Sequence, residues 1–147
     1  MIQEMEREKM TRQEIENQIS QCETELKKHY INLSAIDKEL DNVEIDIDAF
    51  QKMFNQFMQL VYDERERAAS VDQSLGIRFA LSYNDSMRPY LYGSKYAEAR
   101  AEMEKGMKQI QAYQEELENE RKLIKRVINE YENQLAYLRR QRMYVTS

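Results

Sequence analysis

The side chains that could bind a metal or act as a nucleophile are few in this sequence. It has one histidine, His29, and one cysteine, Cys22, which would lie two turns apart on one side of a helix. A zinc site would need two further ligands, and the Glu-x-x-His pairs of di-metal helical bundles are absent because Leu26 stands three residues before His29. No glycine-rich phosphate loop and no Ser/His/Asp spacing occurs. The sequence therefore predicts no catalytic residue, no metal site and no cofactor.

Apolar residues at helical spacing give the first half of the chain its pattern. They recur at steps of three or four from Ile15 to Val61, with charged and amide residues between them. We interpret Cys22 as a packing residue of this first seam and His29 as a flanking, solvated residue. The predicted seam comprises Ile15, Ile19, Cys22, Leu26, Tyr30, Leu33, Ile36, Leu40, Val43, Ile47, Phe50, Phe54, Phe57 and Val61.

A second seam occupies the last third of the chain. Gly106 within it costs a helix about 1 kcal/mol relative to alanine, so we expect a close approach to an aromatic side chain of the facing helix. Glu120 interrupts the apolar pattern and is predicted to set the register by pairing with a lysine or arginine opposite. The predicted positions are Tyr96, Ala99, Met103, Gly106, Ile110, Tyr113, Leu117, Glu120, Ile124, Val127, Tyr131, Leu135 and Leu138.

Two similar seams predict two long helices joined by a turn region. Thr11 and Glu14 fit a capping box directly before the first seam, so helix one is predicted over about 11–67 and helix two over about 94–143. The fold class that follows is all-α, an antiparallel helical hairpin with coiled-coil-like packing in a single domain over 1–147.

The turn region, about 68–93, allows three interpretations. Helix one could continue through Phe79 to a turn at 83–88, or 70–93 could form a short separate element that caps the hairpin. The alternation of apolar residues also permits a small β-hairpin around Asn84. Pro89, the only proline, favours a helix start near 86–88 because proline is tolerated in a first turn.

Composition narrows the function classes. Charged residues make up 33% of the chain and the mean hydropathy is −0.87, with 3 Gly and 1 Pro, which is typical of long helices. The net charge of −5 offers no basic surface for nucleic acid. No apolar run is long enough for a membrane span, and residues 1–10 lack the apolar core of a secretory signal, so the predicted location is cytoplasmic.

The apolar stripe widens between Ala49 and Tyr62, beyond what contact with one neighbouring helix requires. One interpretation is a thicker core near the turn. The other is a surface for a partner, which a two-helix hairpin with half-covered apolar residues is expected to need. We therefore expect a hetero-oligomer, with no nucleic acid and no membrane span. The predicted partner-binding residues are Phe50, Phe54, Phe57, Val61, Tyr96, Met103 and Ile110.

Three stretches resemble a known family: Phe54–Arg67, Glu115–Ile124 and Asn129–Arg140. They are similar to the LXG-associated α-helical proteins, which are encoded beside LXG-domain toxins in Gram-positive bacteria and resemble WXG100 proteins in shape. The resemblance implies a non-enzymatic targeting chaperone. Such a chaperone binds the helical N-terminal region of a toxin effector, alone or with a second small helical protein, and presents it to the type VII secretion machinery. It would act in the cytoplasm, and co-export with the cargo is compatible with this role.

The sequence departs from that family pattern in its motifs. It contains no tryptophan and hence no Trp-x-Gly turn. The Tyr-x-x-x-Asp/Glu pattern occurs as Tyr62-Asp-Glu-Arg-Glu66, in the first helix rather than near the C-terminus. We therefore expect a partner to complete the export signal.

Three other functions fit parts of the pattern. A coiled-coil stalk or escort protein of a type III or flagellar export apparatus would also be a hairpin of this size. A prefoldin-like chaperone predicts β-hairpins within 77–92. A metalloenzyme bundle predicts bound metal after purification, which the residue types do not favour.

Overall fold

A computed structural model describes residues 10–74 and 77–145. The elements are α1 (Arg12–Ser74), α2 (Ile77–Leu91) and α3 (Ser94–Tyr144). No strand occurs in the described residues, so the predicted all-α class is confirmed. Predictions about residues 1–9, 75, 76, 146 and 147 lie outside the described part of the chain.

Both predicted long helices are present. Helix α3 begins where predicted and ends at Tyr144, one residue later than predicted, whereas α1 continues seven residues beyond the predicted end at 67. The start of α1 is the predicted capping box: the Glu14 N–H donates to Thr11 Oγ1 at 3.2 Å, and the Thr11 N–H donates to Glu14 Oε2 at 3.4 Å. Two backbone donors that have no partner within the helix are satisfied in this way.

Residues 77–91 of the turn region are helical, so the turn that the first interpretation placed at 83–88 is wrong. The β-hairpin around Asn84 is wrong, and so are the β-hairpins that the prefoldin interpretation required, because 77–91 is helical. Tyr83, Met87 and Leu91 follow one another at steps of four and pack in one apolar cluster, and this helical spacing outweighs the short alternation. The start near 86–88 inferred from Pro89 is also wrong, since Pro89 lies in the last turn of α2.

Two residues connect α2 to α3. The carbonyl oxygen of Arg88 accepts hydrogen bonds from the N–H groups of Tyr92 and Gly93, at 2.9 and 3.0 Å, which ends α2. The Ala97 N–H then donates to the Gly93 carbonyl at 3.1 Å, which is the first bond of α3. The connection therefore leaves few backbone groups without a partner.

The chain divides into two compact units. Unit 1 comprises Met1–Leu40 and Glu116–Ser147, and unit 2 comprises Asp41–Glu115. In unit 1, contacts join Glu23 to Arg139 and Asp37 to Arg121, so the segments of α1 and α3 run antiparallel. In unit 2, Phe50 lies against Gly106 and Met58 against Tyr96, again antiparallel. In each unit the segments of α1 and α3 thus pair antiparallel, with α2 also part of unit 2, and the helical hairpin is confirmed.

The core of unit 1 shows two register differences from the prediction. The His29 ring stacks on Tyr131, with centroids 5.6 Å apart, while Tyr30 is 46% exposed and its hydroxyl donates to Glu132. The buried core contains Ile15, Ile19, Cys22, Leu26, Ile128, Leu135 and Leu138. The interpretation of His29 as a solvated residue is therefore wrong.

The second difference lies on α3. The predicted pairing of Glu120 with a lysine or arginine is wrong, because Glu120 is exposed and the pair across the helices is made by the next residue, Arg121, whose Nε donates to Asp37 Oδ1 at 2.6 Å. Ile128 is buried where Val127 was predicted, and Val127 is only partly buried. Both sets keep steps of three and four, so spacing alone did not separate them.

Candidate partner-binding surfaces

Unit 2 contains all seven side chains that were predicted to bind a partner. Val61 is buried with Ala68 and Leu91, and the Phe57 ring stacks on Tyr96 with centroids 6.1 Å apart. Six of the seven are only partly buried: Phe50, Phe54, Phe57, Tyr96, Met103 and Ile110. Across the pair of α1 and α3, Phe50 lies against Gly106 and Phe57 against Tyr96.

Gly106 allows one close contact in this interface. A Cβ atom at Gly106 would lie 2.8 Å from Cζ and 3.1 Å from Cε2 of Phe50, closer than carbon atoms approach one another. The phenyl ring therefore occupies the space that any side chain at Gly106 would need. This confirms the expected approach of an aromatic side chain to the glycine.

A second apolar stripe of α1 in unit 2 points to solvent. Ile45 is 65% exposed, Met53 43% and Leu60 64%. Their spacing of eight and seven residues places them on one face of the helix, roughly a third of a turn away from the seam that packs on α3. We call Ile45, Met53 and Leu60, with the exposed Ala49 between them, the outer stripe. The widened pattern of the sequence is thus two stripes, one covered by α3 and one uncovered within the described residues.

Arg65 fastens the end of α2 to α1 in unit 2. Its Nε and Nη2 both donate to the carbonyl oxygen of Leu91, at 2.9 and 2.6 Å. Its guanidinium carbon lies 4.6 Å from the ring centroid of Tyr92 and 4.9 Å from that of Tyr96. A planar guanidinium can serve both contacts at once, because its edge donates hydrogen bonds while its faces stack. No sequence pattern predicts this contact, since Arg65 lies in a run of alternating charges.

The tyrosines near the turn divide between packing and exposure. Tyr83 and Tyr96 pack against the buried cluster of unit 2, and the Tyr83 hydroxyl donates to Glu64 at 3.4 Å. Tyr90 and Tyr92 are more than half exposed. The tyrosines near the turn therefore include both packing residues and exposed residues.

An open groove of about 690 Å³ lies between the helices of unit 1. Apolar side chains form much of its lining, and charged groups of both signs stand at its edges. The lining residues are Glu23, Leu26, Lys27, Tyr30, Ile31, Ser34, Glu132, Leu135, Ala136 and Arg139. Two hydrogen bonds cross the groove: Arg139 donates to Glu23, and the Tyr30 hydroxyl donates to Glu132. An apolar side chain could enter the groove without breaking either of these two contacts.

Two titratable side chains of unit 1 have shifted acidities. The hydrogen bond to Glu132 raises the pKa of the Tyr30 hydroxyl above its usual value, since it favours the protonated phenol, and desolvation adds to the shift. Burial raises the pKa of the Cys22 thiol, with a smaller contribution from the charge of Glu23. A buried thiol of raised pKa is a poor nucleophile, which agrees with a packing role for Cys22.

The described residues contain no group of three or more His, Cys, Asp or Glu side chains that could hold a metal ion. In the same part of the chain, no helix combines the length and the apolar character needed to cross a membrane.

Comparisons with protein-family models, with curated proteins and with solved structures found no match.

Proposed function

We propose that the protein is a non-enzymatic adaptor that binds a helical segment of another protein along unit 2. The observation that carries this proposal is the outer stripe, in which Ile45, Met53 and Leu60 expose between 43% and 65% of their surface at helical spacing. Single exposed apolar residues are ordinary, but a periodic row on one helix face is typical of a binding surface.

The geometry of the outer stripe favours a helix as the bound element. Ile45 and Leu60 are fifteen residues apart, about 22 Å along the helix axis at 1.5 Å per residue. A partner helix of about four turns matches that length, and its own row of apolar residues would pack between these side chains. An extended peptide would gain less, because the backbone of α1 has no free ladder of hydrogen-bonding groups.

The more specific form of the proposal follows from the family resemblance. In that form the partner is the helical N-terminal region of a toxin effector, and the adaptor promotes its type VII secretion. Phe54–Arg67, one of the stretches that carry the resemblance, overlaps the outer stripe at Leu60. The binding event would take place in the cytoplasm, before any export of the complex.

The experiment is co-expression of the chain with the products of its flanking genes, followed by size-exclusion chromatography with light scattering. We expect a defined complex with a protein that contains a long helical domain. Leu60→Asp and Met53→Asp should abolish the complex while circular dichroism of the isolated chain stays unchanged, because both side chains are exposed.

Leu123→Asp is the matched control, since Leu123 is 58% exposed but lies on α3 in unit 1, outside the groove. It should leave the complex intact. Phe54→Asp and Phe57→Asp, from the predicted set, should lose capture and also weaken packing in unit 2, where both residues are partly buried. Two outcomes would refute the proposal and favour a structural coiled coil. The chain could form a stable homodimer that binds none of the co-expressed proteins, or the complex could persist in the outer-stripe variants.

A further inference from the structure

The residues that border the outer stripe carry a one-sided charge. From Asp41 to Asp63 the chain has five carboxylates and one basic residue, Lys52. Four of the carboxylates lie within eight residues, around Ile45, and all four are exposed: Asp41, Glu44, Asp46 and Asp48.

Helical geometry places these acids at the edges of the stripe. At 3.6 residues per turn, Asp41 and Asp48 border it on one side and Asp46 on the other. The structure gives Asp37, only four residues before Asp41, an arginine partner in Arg121. Among the described residues, none of the four exposed acids has a corresponding ion pair or hydrogen bond.

We infer that the partner of the outer stripe is an amphipathic helix whose apolar row is flanked by lysine or arginine. Covering Ile45 and Met53 with a helix brings the flanks of that helix over Asp41, Asp46 and Asp48. A partner with acidic flanks would meet like charges, whereas basic flanks form charge pairs that select the partner and fix its direction. This inference rests on the proposed function and adds the chemistry of the partner to it.

The first test uses the partner isolated in the co-expression experiment and measures its affinity for the chain by titration calorimetry. The test variant replaces Asp41, Asp46 and Asp48 with asparagine. The control variant replaces Glu98, Glu102 and Glu115 with glutamine, which changes the net charge equally at exposed positions of α3 in unit 2. We expect the first variant to bind roughly tenfold more weakly or worse, the control to bind as the parent does, and the affinity of the parent to fall with added salt.

A second measurement uses two synthetic helical peptides with the same apolar row, one with lysine flanks and one with glutamate flanks. The parent chain should bind the lysine peptide and not the glutamate peptide, and Leu60→Asp should abolish that binding. Complex formation that depends on Leu60 but is unchanged by the three asparagines and by salt would overturn this inference while leaving the adaptor function in place. If the Leu60→Asp variant still formed the complex, the adaptor function would be refuted as well. If a second copy of the chain bound the outer stripe, the adaptor function and this inference would both be overturned.

Discussion

Replacing Gly106 with alanine tests the closest contact between the helices of unit 2. The new Cβ would lie 2.8 Å from Phe50 Cζ, so the ring has to move. Crowding of this kind costs about 1–3 kcal/mol of unfolding free energy. Alanine also favours the helix by about 1 kcal/mol relative to glycine. The two effects oppose each other, and we expect a net loss of about 0–2 kcal/mol.

The coupling between Gly106 and Phe50 separates the two effects. Phe50→Leu removes the Cζ and Cε atoms that the new Cβ would meet. In that background the crowding is absent, so Gly106→Ala should stabilise the chain by about 1 kcal/mol. The effect of the same substitution should therefore differ between the two backgrounds by about 1–3 kcal/mol.

Urea denaturation followed by circular dichroism measures all four variants of this cycle. Ala112→Gly is the control, because Ala112 is exposed on the same helix and should lose about 1 kcal/mol in either background. Equal stabilisation by Gly106→Ala with and without the phenyl ring would show that the ring does not occupy the space beside the glycine, and the argument for close packing would fail.

Three further predictions concern single contacts. Arg65→Lys loses the two hydrogen bonds to the Leu91 carbonyl and the stacking on the tyrosine rings. We therefore expect the Tyr92 amide to lose about 2 kcal/mol of protection in native-state hydrogen exchange. Unchanged protection would show that the contact does not hold the end of α2. Thr11→Ala removes one half of the capping box and should lower the unfolding free energy, measured by thermal denaturation, by about 1 kcal/mol. Thr11→Ser keeps the hydroxyl and should keep the stability. Because its hydrogen bond to Glu132 raises the pKa of Tyr30, this contact contributes stability below the ordinary tyrosine pKa of 10.0 and loses it as the pH rises through the higher folded value. An absorbance titration should show late ionisation of Tyr30, and Glu132→Gln should lower the pKa of Tyr30.

The helices could be predicted because their apolar residues are periodic over many turns. The first seam, taken strictly, alternates steps of four and three from Ile15 through Leu26, Leu33 and beyond. That alternation selects position 29 and not position 30, so a stricter use of the pattern would have found His29 in the interface. Tyrosine carries the larger apolar ring, which made Tyr30 the predicted core residue, and that prediction is wrong.

Other features of the candidate site lay beyond the sequence for physical reasons. The exposure of Leu60 could not be predicted, because the widened stripe fitted both a thicker core near the turn and a surface for a partner. The contact of Arg65 with the Leu91 carbonyl depends on the end of α2, which the sequence left open among three alternatives. Gly106 was different, because an interior glycine is costly and its cost indicated a compensating contact.

The arrangement of contacts also bears on how the chain folds. The bond from Arg65 to Leu91 closes 26 residues, whereas the bond from Arg139 to Glu23 closes 116. Closing the longer segment costs about 1.3 kcal/mol more in chain entropy, since that cost grows with the logarithm of length. Contacts beside the two-residue link between α2 and α3 should therefore form first, with pairing spreading toward the chain ends. Pulse-labelled hydrogen exchange would show amides near Ala97 protected before those near Leu138. During synthesis, α1 leaves the ribosome before α3, so its apolar seam stays uncovered until α3 has been made.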